Sequence, residues 1–255
     1  MSPLVVESSN GMRIRSVSDW FRYAPPWRGV AQWKDGRSAK ELAKAWFKSQ
    51  ELAIPKELEA LFNSHALTKG LGLESAVPEL RTPLDKYRGN TRNHDLVLIG
   101  RSGAFQIVVG LEAKSDESFG DRIGVRLAKT VHTRSKVPSR IDDLSRSIFG
   151  RPVDGEIRSV RYQLLHALAG TLIEASNREA GVAAFVVHEF VSEETGRSNL
   201  TRNARDLDEF VRLLPGGQGV QISLGSLVGP FTVHGGVNIR SPPPVLIGKV
   251  RTLID

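Results

Sequence analysis

The sequence predicts an α/β protein, a mixed β-sheet flanked by α-helices, and three observations carry that reading. Two apolar runs, LVLIG and AFQIVVGLEAK, bracket a short Gly103-containing turn and read as a β-hairpin. A helix-period stretch, RYQLLHALAGTLIEASNR, leads directly into a third apolar run, AAFVVHEFV. The 255 residues, 40% hydrophobic and 25% charged, suffice for one large unit or two small ones and match neither a disordered nor a fibrous chain.

Taken in order, residues 1–37 set Trp20, Phe21, Tyr23, Trp27 and Trp33 among Arg13, Arg15, Arg22, Arg28, Lys34 and Arg37, with Pro25-Pro26 breaking any helix. Such an arm can stack bases or pack its rings on a core, and the sequence leaves both open. At Ser38 the tetrapeptide SAKE reads as a capping box, Ser38 capping the helix start and Glu41 reaching back. Leu42, Ala43, Trp46 and Phe47 follow at helical spacing, so this helix is expected to run to about Gln50. Pro55 suits the first turn of a second helix, with Leu58, Leu61 and Phe62 as its apolar stripe. Residues 65–90, dense in Gly, Pro and acids, read as a loop or lid with a short helix near Glu74–Leu80.

In the hairpin's second strand Ile107, Val109, Leu111 and Ala113 face one way, and Val108, Gly110, Glu112 and Lys114 the other. A turn centred near Ser102-Gly103 places Asp95 opposite residues 110–112. The stretch 121–161 carries ten cations against five acids, most of the chain's net +7, a concentration that weighs toward phosphate contact. A helix from about Ser159 to Arg178 follows, with Leu165, Leu168, Leu172 and Ala175 on one face, and its Gly170 suits a close approach to a sheet. After the strand Ala183–Val191, Asn203 reads as the cap of a helix Ala204–Leu214, ended by PGGQG. QISL, PFTV and VLIGKV then read as short strands extending the sheet.

No repeat and no linker divides the chain. One unit is expected over 1–255: a helical N-terminal part and loop (1–90), a core (91–191), and a C-terminal helix with short strands (192–255). The absence of Cys excludes disulfides, thiolate zinc sites, iron–sulfur clusters and Cys nucleophiles. No apolar run approaches a membrane span, which points to a soluble, cytoplasmic protein. A pI near 9.9, with only eleven Lys among 35 cations, permits a polyanionic partner such as nucleic acid, although a GC-rich bacterial genome gives the same Arg bias.

Chemistry concentrates on the hairpin. Asp95 and Glu112 converge at one end of it with Lys114 a pleat away, and two carboxylates suit a hard divalent cation such as Mg²⁺. Lys114 alone among the Lys residues has an acid two positions earlier. Asp95 followed by Glu112-Ala113-Lys114, with a helix and strand beyond, resembles the PD-(D/E)XK nuclease superfamily, over roughly residues 74–191. The resemblance implies a restriction-endonuclease-like core and Mg²⁺-dependent (or Mn²⁺-dependent) hydrolysis of nucleic acid, DNA before RNA. It also implies metal ligands Asp95 and Glu112, a catalytic Lys114, and Gln163 at a polar position on the following helix. Glu74 or Glu79 is the candidate for an assisting acid, and no strand stands out before Asp95 to serve as the usual first of three. Arg122, Arg126, Lys129, Arg134, Lys136 and Arg161 are the expected backbone-phosphate contacts. A homodimer that sets two sites against two strands is an analogy with nucleases of that fold.

Other readings stand beside this one. Asp95, Glu112 and Lys114 can equally form a cross-strand ion pair on an exposed face, and the fold can serve as a non-catalytic nucleic-acid-binding module. His94 either binds phosphate or ends a turn; His132, His166, His188 and His234 lack ligand spacing and read as structural. Asp116 and Glu117 read as a solvated turn. GRSGAFQ lacks the strand–turn–helix setting of a nucleophile elbow, and no phosphate-binding Gly loop is present.

Overall fold

In the computed structural model, which describes residues 3–48, 51–87, 91–193 and 195–254, the apolar runs of the sequence form strands of seven to ten residues that are buried on both faces over most of their length. Strands β5 (Leu96–Ser102) and β6 (Phe105–Lys114) form the expected hairpin, with Leu96 opposite Leu111 and Val97 opposite Gly110. Strand β7 (Val182–Val191) then runs parallel to β6. The crossover between them contains α7 (Tyr162–Asn177), as a parallel pair requires.

The hairpin sits inside a mixed seven-stranded sheet of order β1-β2-β5-β6-β7-β9-β8. Its other members are β1 (Val5–Val6), β2 (Gly72–Pro78), β8 (Ser226–Phe231) and β9 (Val245–Leu253). Strands β1 and β9, drawn from the two ends of the chain, thus share one sheet. A separate ribbon pairs β3 (Arg81–Pro83) with β4 (Thr91–Asn93).

Helices cover both faces. On one face α1 (Val17–Tyr23), α2 (Ser38–Trp46) and α3 (Lys56–Asn63) bury Trp20, Trp46 and Leu58 against Ile107, Val109 and Leu111. Opposite them lie α5 (Val137–Phe149), α6 (Gly155–Ser159), α7 and α8 (Arg197–Arg212), packed on Val97, Val108, Phe185 and Ile247. A short α4 (Ile123–Ala128) contributes Ile123 to this second layer. The alternation read along β6 therefore separates two hydrophobic layers, and every residue of β6 from Ile107 to Lys114 is buried.

Several local expectations are corrected. Glu74–Leu80 is not helical: its residues mostly form β2, which lies antiparallel to β5. Arg37 rather than Ser38 occupies the N-cap of α2, and the Ser38 hydroxyl donates to Glu117 Oε1 at 3.4 Å. Glu41 does reach back, accepting the Gly36 N–H at 2.8 Å, and α2 ends at Trp46, before Gln50, which lies outside the described residues along with Arg88–Asn90 of the expected loop. Asn203 is buried in the middle of α8 instead of capping a helix. QISL forms no strand beyond a single bridge at Leu224, and PFTV only ends β8. The N-terminal arm packs on the core through Trp20, while Phe21 and Trp33 stack on each other at 5.1 Å and Trp27 is exposed under Arg81.

Candidate active site

The site forms where β6 reaches its C-terminal end. Asp95 immediately precedes β5, and its Oδ2 accepts the Ala113 N–H at 2.7 Å, which pins it beside Glu112 across the hairpin. Glu112 points into the helical layer of α7 and is 1% exposed. Lys114 Nζ donates to Glu112 Oε1 at 2.7 Å and lies 5.4 Å from the centre of the Phe119 ring. From the first turn of α7, Gln163 Nε2 donates to the same Oε1 at 2.5 Å. The four residues singled out by sequence thus meet in one place, and the exposed-face ion pair is excluded, because Glu112 and Lys114 are buried.

A fifth residue, Arg92, completes the surroundings of Glu112. It projects from β4, is 5% exposed, and its Nη2 donates to Glu112 Oε2. Burial alone pushes the Glu112 carboxyl up, but the Arg92 and Lys114 charges outweigh it and hold the group below the usual carboxylate range. Asp95 responds oppositely, because burial and the neighbouring Glu112 charge push its carboxyl up. Arg92 was not singled out, because it lies between the expected loop (65–90) and the hairpin; its only sequence signal is nearness to Asp95.

The two upstream acids separate clearly. Glu79 sits at the end of β2 next to Asp95, with its N–H on Asp95 O at 3.4 Å and its carboxylate accepting from Asn93 Nδ2. Burial and the Asp95 charge push its carboxyl up to about 8. Glu74 lies at the opposite end of the same strand, exposed and 3.6 Å from Arg101, roughly 15 Å away along β2 at the ordinary strand rise, so it takes no part here.

His94 is 1% exposed and bonds Thr82 Oγ1 at 3.1 Å, which settles it as a structural residue of the β3–β4 ribbon's packing on α7. A Cβ on Gly170 would come within 2.8 Å of both His94 and Arg92, so the close approach read into that glycine is to this pair. His166 faces Tyr162 at 4.8 Å, and burial holds it down to about 3. Asp116 and Glu117 are engaged, not simply solvated: Asp116 Oδ1 accepts from Asn199 at 3.0 Å, and Glu117 Oε2 accepts the Ser115 N–H at 2.8 Å.

Glu189 on β7 also escaped notice, hidden in an apolar run. It is Lys114's register neighbour, fully buried, with Oε2 accepting from Arg251 at 2.7 Å. Its Oε1 has no partner among the described residues.

The expected phosphate contacts divide. Lys129 is paired with Asp121 at 2.6 Å and Arg161 with Asp206 at 2.7 Å, and both charges are thereby engaged. Arg122 is half-buried; Arg126 lies over Tyr162, Lys136 over Tyr87, and Arg134 is exposed.

Residues 13–251 match the family model of DUF6946, a domain of unknown function. No curated protein and no solved structure matches the chain. No helix among the described residues is long and apolar enough to cross a membrane.

Proposed function

The chain belongs to the DUF6946 family, and from that premise and the site we propose a metal-dependent nuclease that hydrolyses phosphodiester bonds of nucleic acid, DNA first, in the cytoplasm. The observation that carries this reading is the meeting of Asp95, Glu112, Lys114 and Gln163 at one strand end. The run of antiparallel strands β2, β5 and β6, then helix α7 and parallel strand β7, supports a restriction-endonuclease-like core, with β2 as the first strand.

Asp95 and Glu112 supply hard oxygen donors on facing residues, the type Mg²⁺ or Mn²⁺ takes, and one or two carboxylates suffice where water and phosphate fill the shell. Among the described residues no group of three His, Asp or Glu side chains is arranged to hold an ion. The residues fit a two-carboxylate site provided that Arg92 yields Glu112 Oε2. An ion there supplies charge stabilisation at a phosphoryl oxygen and a more acidic water. Lys114 orients the attacking water and balances negative charge on the phosphate. Gln163 fixes the rotamer of Glu112, and the Ala113 N–H fixes that of Asp95.

A second reading, a non-catalytic nucleic-acid-binding module, is favoured by one observation: both Glu112 oxygens are already engaged, by Arg92 on one side and Lys114 with Gln163 on the other. Such a network is complete without an ion. Incubation with plasmid, linear duplex, single-stranded DNA and RNA, in Mg²⁺, Mn²⁺ or EDTA, separates the two. The nuclease reading expects metal-dependent cleavage that Lys114→Ala lowers by about 10²-fold or more with binding retained. Binding without cleavage under every condition selects the module instead.

A further inference from the structure

We propose that the exposed arginine face of α8, together with the cavity beside it, is the principal contact for the phosphodiester backbone, in place of the 121–161 stretch. This rests on the reading of the protein as acting on nucleic acid. In the first half of α8 Arg197, Ser198, Thr201, Arg202 and Arg205 are all exposed and share one side at helical spacing. Among the described residues, none of the three arginines has a carboxylate within salt-bridge reach, whereas of the ten cations of the 121–161 stretch five, Lys129, Arg140, Arg146, Arg151 and Arg161, are paired with one. Arg126 and Lys136 lie over the Tyr162 and Tyr87 rings, and only Arg122, Arg134 and Arg158, scattered along the stretch, have neither kind of partner among the described residues. A cation already neutralised by a neighbour offers less to a phosphate, and releases less counterion when it binds one. Unpaired guanidiniums with hydroxyls between them are the donors phosphate oxygens take.

The position of α8 ties this face to the candidate site. Its Asn199 and Asn203 side chains donate to Asp116 and to Glu117 O, within three residues of Lys114. Its Asp206 holds Arg161, two residues before Gln163. The start of α8 is thus fastened to both segments that present the site, with its arginines turned outward. Beside it, a cavity of about 640 Å³ opens between α8 and the ends of β7 and β9, lined by Ser192, Thr195, Arg197, Thr201 and Arg251, with Glu193 as its one carboxylate among the described residues. Arg251 is fixed there by the buried Glu189, Lys114's register neighbour. From Arg197 to Arg205 the helix rises about 12 Å, the axial length of three to four nucleotides of one duplex strand.

The test is fluorescence anisotropy of a labelled duplex and a labelled single strand in EDTA, across a salt series. It compares the wild type, Arg197→Ala/Arg202→Ala/Arg205→Ala, and Arg122→Ala/Arg126→Ala/Arg134→Ala. All substituted side chains are exposed or half-buried, and circular dichroism and thermal melts check that each variant folds. The α8 variant is expected to bind more weakly, with a slope of log affinity against log salt shallower by about 2 to 3. The second variant is expected to change the slope less. Equal slopes for wild type and α8 variant, the larger loss in the second variant, or a wild type that binds neither strand at low salt would each overturn the proposal. Because binding is read without metal, loss in the α8 variant without any cleavage by the wild type would sink the nuclease and leave the surface standing; cleavage with unchanged α8-variant binding does the reverse.

Discussion

Arg92 decides how the candidate site is held together. Its guanidinium and the Glu112 carboxylate are both withdrawn from water, where removing one partner leaves an uncompensated buried charge. Arg92→Ala is therefore expected to cost about 3–5 kcal/mol, read as a lower urea midpoint. A cost below about 1 kcal/mol would show that the pair behaves as a surface pair. At this scale the sequence was most legible where residue type and strand parity act together. Asp95, Glu112 and Lys114 could be placed because alternation along β6 and the hairpin turn fix which side chains face each other. Arg92 and the choice of Glu79 over Glu74 were not legible, because both depend on where the chain returns after a loop. Glu189 was hidden for a related reason: burial on both faces lets a single acid sit inside an otherwise apolar strand, partnered from the next strand over.

Among the elements, the contact of α7 with β6 is the tightest constraint on the site. Gly110 lies under α7, and a Cβ there would fall 1.9 Å from Thr171 Oγ1, so helix and strand can approach this closely only without that carbon. Gly110→Ala is expected to lower stability by about 1–3 kcal/mol through overpacking. Gly155→Ala, where an added Cβ meets nothing within 4 Å, should stay within about 0.5 kcal/mol, and chemical denaturation of the two variants checks the contrast. Helix α7 and strand β7 were read nearly to their ends, because their sixteen and ten residues repeat a largely apolar period, whereas α8 begins seven residues before the expected Ala204 and α5 lies in a stretch read only for its charge. Strand β2 was misread because GLESAVP is short, carries Glu74 at a register irregularity, and ends in Pro78. Asn203 was misread because its polarity suggested a helix end, whereas its amide is spent on Glu117 O inside the fold.

Stability against acid is a property of the whole molecule, and His188 gives it a readable component. The ring lies in the layer under the N-terminal helices, bonds Thr252 Oγ1 at 2.9 Å, and stacks on Phe190 at 4.2 Å. Burial holds it down to about 3 from an ordinary value near 6.5. The unfolded chain therefore takes up this proton as pH falls below 6.5 while the folded one resists until about 3, and stability falls across that window. A buried neutral His contributes up to about 1.4 kcal/mol of loss per pH unit. In His188→Gln, thermal melts between pH 7 and 4 should show a shallower decline than the wild type. Parallel declines would place the His188 ring in contact with water.

By itself the sequence determined the α/β class, the hairpin, the helix–strand unit beyond it and the convergence of Asp95, Glu112 and Lys114, because periodicity and short-range register are local properties of the chain; Gln163 came only from the resemblance. The tertiary structure alone decided that β2 flanks β5, that β9 enters between β7 and β8, that Arg92 closes on Glu112, and that Arg197, Arg202 and Arg205 of α8 lie exposed on one side of that helix. Those outcomes join residues tens of positions apart. They are set by which apolar faces can be covered together and which buried charges can find partners, and no local pattern records that.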